Sequence, residues 1–102
     1  MVHVIASVTV QPNTLSDALV IYKNFAPKVH QEKGCLMYQP TLDIETQIGT
    51  QKKDTNTITV IEKWEDMASF DAHLLAPHVI QFRADMKGII ESITIKVLQN
   101  AT

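Results

Sequence analysis

Three stretches of this chain repeat apolar residues at every second position, and the stretches between them repeat at three- and four-residue steps. A period of two is that of a strand with one buried face, and a period near 3.6 is that of a helix with one buried stripe. The run VHVIASVTV sets Val2, Val4, Ala6, Val8 and Val10 on one side and His3, Ile5, Ser7 and Thr9 on the other. In ITVIEKW, Ile58, Val60, Glu62 and Trp64 share a side, so a carboxyl and an indole lie among aliphatics. The run IIESITIKVL, from Ile89 to Leu98, reads as a last strand.

Between the first two runs, Leu15, Ala18, Leu19, Tyr22, Phe25, Ala26 and Val29 form a stripe of about four helical turns. Thr14 and Asp17 suggest a capping box at its start, Pro27 should bend or weaken its last turns, and Gly34 supplies its stop. A short strand follows from Cys35 through Tyr38, and Pro40 assigns it to a sheet edge or a bulge. Leu42, Ile44 and Ile48 keep some alternation, but residues 45–56 are polar and aperiodic and read as a long connection or flap. Asp66 can cap a second helix carrying Met67, Phe70, His73 and Leu74. Pro77 interrupts that helix, and Val79, Phe82 and Met86 give the following turn or two an apolar side before Gly88.

The resulting order, βαββαβ, is the ferredoxin-like arrangement of the α+β class with a four-stranded antiparallel sheet. At 102 residues the chain is read as a single domain over 1–102. Two helices cover one face of such a sheet, yet the first strand is partly apolar on both. Packing two sheets face to face in a homodimer, a dimeric α+β barrel, would bury the second face.

Composition narrows the partners. Charged residues are 20% of the chain and the formal net charge is −2, which gives nucleic acid or anionic lipid no clustered basic surface to recognise. No segment reads as a membrane span or export signal, and the lone Cys35 makes no internal disulfide, so a cytoplasmic setting is expected. His73 and His78 are five apart across a proline, and no CxxC or HxxxH pair exists, so no metal site is expected.

The runs EKGCLMYQP (Glu32 to Pro40) and ITVIEKWEDMASFDAHLLAPH (Ile58 to His78) resemble the antibiotic biosynthesis monooxygenase family, small dimeric α+β barrel proteins that include cofactor-free quinol oxygenases. Gly34, Tyr38, Glu62, Trp64, His73, Pro77 and His78 match its pattern in order and spacing. The resemblance implies a pocket between the sheet and the second helix, a small quinol-like or polyphenolic substrate, molecular oxygen as co-substrate and no cofactor. It also implies a catalytic set of His73 as base, Tyr38 as donor and Glu62 paired with a histidine. Trp64, Phe70, His78, His3 and Phe82 are the candidate substrate-binding residues, with His3 reaching in from the first strand. Haem-degrading relatives carry a tryptophan at the position of His73 and a ligand histidine at that of Arg83, so haem is not implied.

Each of these residues also has a structural reading: Trp64 and Tyr38 as core, Glu62 in a cross-strand ion pair, His73 bonded to a carbonyl, His78 at the rim. Two other functions remain open on the sequence, an isomerase or tautomerase of a small hydroxy-carbonyl compound and a non-catalytic ligand-binding stress-response dimer.

Overall fold

The computed structural model describes residues 1–102. Strand β1 spans Val2–Val10, helix α1 Leu15–His30, β2 Cys35–Thr41, β3 Thr57–Trp64, α2 Met67–Leu74, α3 Pro77–Asp85 and β4 Ile90–Gln99. The strands form one antiparallel sheet in the order β2-β3-β1-β4, the ferredoxin-like topology expected from the sequence.

The helices lie on the face that β1 and β3 supply with Val4, Ala6, Val8, Val10, Ile58, Val60, Glu62 and Trp64, all of them buried. Against these pack Ala18, Tyr22, Phe25, Ala26 and Val29 of α1, Phe70 and His73 of α2, and Val79 of α3. The opposite face, with His3, Ile5, Ser7 and Thr9 of β1, carries no helix, and its residues are only half-buried. Residues 42–56 contain no helix or strand.

Several local features decide what reaches the helix side. Asp66, with extended backbone, accepts from the Ser69 amide at 2.8 Å and starts α2 as expected. Thr14 does not cap α1: its backbone is already helical, and its hydroxyl donates back to the Gln11 carbonyl at 2.6 Å. The helix also runs unbroken through Pro27 to His30. Beyond Leu74 the chain does not merely resume after a break, because Pro77 takes the first position of a separate nine-residue helix after extended Ala76.

The last feature is in β2, an edge strand as Pro40 suggested. Cys35 pairs with Trp64 and Met37 with Lys63, so Leu36 is an extra residue, a β-bulge. Strict alternation would send Cys35 and Tyr38 to opposite faces. The bulge resets the parity and places Tyr38 opposite Glu62, under the helices.

Gly34 and Gly88 both adopt positive φ, 81° and 83°, but in different surroundings. A Cβ at Gly34 would overlap the Ser69 side chain, whereas at Gly88 it would meet nothing within 4 Å. Gly88→Ala should therefore cost only the left-handed penalty, about 1–2 kcal/mol in urea unfolding. Gly34→Ala should cost a further 1–3 kcal/mol or so from overpacking, and Ser69→Gly should recover that second part alone. Equal losses at the two glycines would show that the turn does not press on α2.

Candidate active site

The helix side of β3 holds the most unusual pair in the core. Glu62 and Trp64, two residues apart on one strand face, are 5% and 0% exposed, and the indole Nε1 donates to Glu62 Oε1 at 3.0 Å. That is the carboxyl's only hydrogen bond to protein. Burial, reinforced by the negative charge of Glu32, raises its pKa from 4.5 to about 7, with the indole bond pulling the other way. Near neutrality Glu62 is thus divided between acid and carboxylate.

Tyr38 stands opposite Glu62 on β2, and Tyr22 faces the same region from α1. Burial pushes both phenols far above the usual tyrosine range; the Glu62 charge adds to this at each, and Tyr22 adds to it at Tyr38. Both remain neutral hydroxyls, able to donate. Burial, with the charges of Glu32 and Glu62, also raises the Cys35 thiol, which accordingly stays protonated and weakly nucleophilic.

Over this floor α2 places His73, 6% exposed, its ring 4.8 Å from that of Trp64 and about 6 Å from those of Tyr38 and Phe70. Its partner is not Glu62, as the sequence suggested, but Glu32, in the turn after α1. Glu32 Oε2 lies 2.8 Å from His73 Nδ1 and 2.8 Å from His78 Nε2 on α3. A carboxylate only accepts, so both rings turn an N–H toward it. Neutral His73 is then the Nδ1–H tautomer, with its lone pair on Nε2. No buried side-chain nitrogen or oxygen lacks a partner, so Nε2, which has none, keeps some contact with solvent. Burial lowers the His73 pKa below 6.5 and outweighs the upward pull of Glu32, so the ring is uncharged at neutral pH and can take a proton.

The remaining candidates divide. Phe70 lies 6.1 Å from both Trp64 and His73 and belongs to the cluster. His78 joins through Glu32, and its ring is 5.9 Å from Phe25. Phe82 stacks on Phe25 at 4.2 Å and meets Tyr22 at 4.9 Å, walling the cluster from the α3 side. His3 does not join: strand parity puts it on the other sheet face, where Nε2 bonds Asn100 at 2.7 Å. The helices pack directly on Trp64, and none of Glu62, Trp64 and His73 borders a cavity. Other members of the cluster border grooves: one of about 240 Å³ between α1 and β2 is lined by Tyr22, Gln39 and Pro40, and one of about 120 Å³ between α1 and α3 by Phe25 and Phe82. No group of three or more His, Cys, Asp or Glu side chains is arranged to hold a metal ion.

Glu32 and Tyr22 are the members of the cluster that sequence reasoning missed. Tyr22 was read only as part of a helical stripe. Glu32 is a polar residue in a turn, and nothing in the periodicity says that this turn folds beneath two later helices.

A ferredoxin-like sheet whose helix side encloses a carboxyl, two phenols and an unprotonated imidazole among aromatic rings defines a small α+β protein with an acid–base interior. Residues 1–85 match the model of the antibiotic biosynthesis monooxygenase family. A curated relative, the probable quinol monooxygenase YgiN of Escherichia coli K12, is 31% identical over 97% of each chain. The chain belongs to the antibiotic biosynthesis monooxygenase family, and its class of activity is that of a monooxygenase. Solved structures share the fold: PA3566 from Pseudomonas aeruginosa at TM-score 0.83 and 21% identity, covering 99% of this chain and 94% of that one. An antibiotic biosynthesis monooxygenase matches over the whole of both chains at TM-score 0.84 and 24% identity.

Between pH 4.5 and about 7 the folded chain keeps on Glu62 a proton that the unfolded chain has released. Unfolding then releases protons, and Glu62 makes stability fall as pH rises through this window. Burial of neutral His73 acts oppositely, with stability lost as pH falls below 6.5. Glu62→Gln, which keeps the shape without the titration, should gain stability relative to wild type as pH rises from 4.5 to 7. A difference that stays flat across that range would contradict the assignment.

Proposed function

We propose that this chain is a cofactor-independent monooxygenase that oxidises a small quinol-like or polyphenolic aromatic compound with molecular oxygen, with His73 as the general base. The observation that carries this reading is the one-sided engagement of His73, whose Nδ1–H is held by Glu32 while Nε2 stays free beside Trp64 and Tyr38. The family and the name of the E. coli relative support the oxygenase class and the quinol substrate.

In the proposed reaction a phenolic O–H gives its proton to His73 Nε2, and Glu32 stabilises the imidazolium through Nδ1–H. The electron-rich phenolate passes an electron to oxygen, and the resulting semiquinone and superoxide join in a C–O bond. Loss of water from that peroxide gives a hydroxyquinone, so that quinol and oxygen become hydroxyquinone and one water. The protein's share is to deprotonate the ring, hold it among Trp64, Phe70 and Phe82, and offer the neutral hydroxyl of Tyr38 and the half-protonated carboxyl of Glu62 as donors. The helical layer must part to admit a ring, because in the closed chain it rests on Trp64. No helix is long and apolar enough to cross a membrane, and a cytoplasmic setting suits a chain whose one cysteine is free. Two copies associate through the helix-free sheet face, where Ile5 lies beside Ile61 of β3.

Oxygen uptake over a panel of quinols tests the reading. His73→Phe should lower turnover by roughly 10²- to 10⁴-fold, the usual worth of a positioned base. Glu32→Gln keeps the hydrogen-bonding shape and removes the charge that raises the His73 pKa, so it should lower the rate and move the acid limb of kcat/KM to lower pH. Trp64→Phe should raise KM more than it lowers kcat. Full oxygen uptake by His73→Phe would place the base elsewhere.

A further inference from the structure

The molecule carries four grooves, and they differ in charge. The groove between α1 and α3 is lined by both Lys28 and Asp85, and one at the start of α2 by Lys33 together with Glu65 and Asp66. A groove beside the end of β4, lined by Val2, Met67, Val97, Leu98 and Gln99, has no charged side chain. Only the groove between α1 and β2 has a cation and no carboxylate among its lining residues, which are Leu19, Tyr22, Lys23, Ala26, Gln39 and Pro40. Lys23 makes no ion pair elsewhere in the chain. On a chain of net charge −2 this is the one concave surface that favours an anion.

The same groove adjoins the candidate active site. Helix α1 is pinned to β2 near its end, where His30 Nε2 donates to the Tyr38 carbonyl at 2.8 Å. From Ala26 back to Leu19 the seam between them opens into the groove, and Tyr22, only 4% exposed, forms its inner wall. No buried side-chain oxygen lacks a partner, and the Tyr22 hydroxyl has none, so that hydroxyl touches solvent. Of the four grooves, Tyr22 borders this one alone. The charge of Glu62 acts on the same phenol, which places Tyr22 between the groove and the floor of the cluster.

Size and lining define what fits. An apolar cavity of about 150 Å³ holds a benzene ring, so the groove's volume of about 240 Å³ suits one aromatic ring with its substituents. Leu19, Ala26 and Pro40 offer that ring an apolar bed, and Tyr22 an aromatic wall. Lys23 and Gln39 are exposed at the rim. The lysine carries its point charge on a flexible stem, which lets it meet an acidic group that stays at the edge of water while the ring lies deeper.

We propose that the groove between α1 and β2 docks a single-ring phenol bearing a carboxylate, with Lys23 as the residue that selects the acidic group and Tyr22 as the wall the ring rests on. The inference rests on the oxygenase reading for the reaction, and narrows its substrate to a hydroxylated benzoate; the binding itself does not require that reading.

Calorimetric titration of the full chain under nitrogen at pH 7 tests the docking without turnover, with 2,5-dihydroxybenzoate and 1,4-dihydroxybenzene as paired probes. The benzoate should bind about fivefold tighter, the upper end of what one exposed ion pair contributes. Lys23→Gln should bring the two probes within twofold of each other, whereas Lys28→Gln, in the neighbouring groove, should leave the preference intact. In air, Lys23→Gln should raise KM for the benzoate and leave kcat within about twofold. A wild-type preference below about twofold, or an equal loss in Lys28→Gln, would overturn the docking site. Lys23-dependent binding of a benzoate that consumes no oxygen would support the site and count against the oxygenase reading. Oxygen uptake that depends on His73 but not on the charge of the quinol would uphold that reading and overturn the site.

Discussion

One carboxylate oxygen organises the helical half of this protein. Glu32 Oε2 receives an N–H from His73 and another from His78, and so joins the turn after α1 to both short helices beyond β3. Those helices are short, α2 of eight residues and α3 of nine with a proline between them, so the two bonds supplement an apolar packing that rests on Phe70, Val79 and Phe82. The two bonds are short and largely out of water, and loss of the acceptor would strand a buried imidazole N–H at a cost of roughly 1–3 kcal/mol. The same contact selects the tautomer of His73, so one interaction links the position of the layer to the chemistry under it.

Beneath that layer, Glu62 shows what a carboxyl does when its only protein partner is an indole. The bond to Trp64 satisfies one oxygen but supplies no positive charge, so desolvation wins and the proton is retained to near neutrality. The negative charge of Glu32 acts in the same direction. Two carboxyls with divergent surroundings therefore meet the same aromatic cluster, Glu62 at its floor as a part-time donor and Glu32 at its margin as an acceptor. Such a division is what acid–base chemistry on a phenol requires.

The topology was legible because it rests on local periodicity. Alternation in Val2–Val10 and Ile58–Trp64 fixed the faces correctly, including the shared face of Glu62 and Trp64, and Pro40 marked the edge strand. What failed to read depends on events of one residue or on distant contacts. The Leu36 bulge decides where Tyr38 points, yet Cys35-Leu36-Met37 carries no sequence mark of it. Thr14 and Asp17 have capping-box spacing, but the helical backbone at Thr14 turns its hydroxyl away. Parity already set His3 apart from Val2 and Val4, and the structure keeps it there, outside the cluster it was expected to enter. Glu32 meets residues more than forty positions away, which no local pattern encodes, whereas Glu62 and His73, each legible as a polar residue on an apolar face, drew attention to each other and away from it.

The central claim is that Glu32 holds His73 as a neutral base with its lone pair on Nε2, and long-range ¹H–¹⁵N correlation spectra of the histidine rings address it without substrate. At pH 7.5 the account predicts that His73 carries a proton on Nδ1 alone, and that Glu32→Gln reduces this preference toward a mixture of tautomers. A His73 ring protonated at Nε2, or at both nitrogens, at that pH would contradict it.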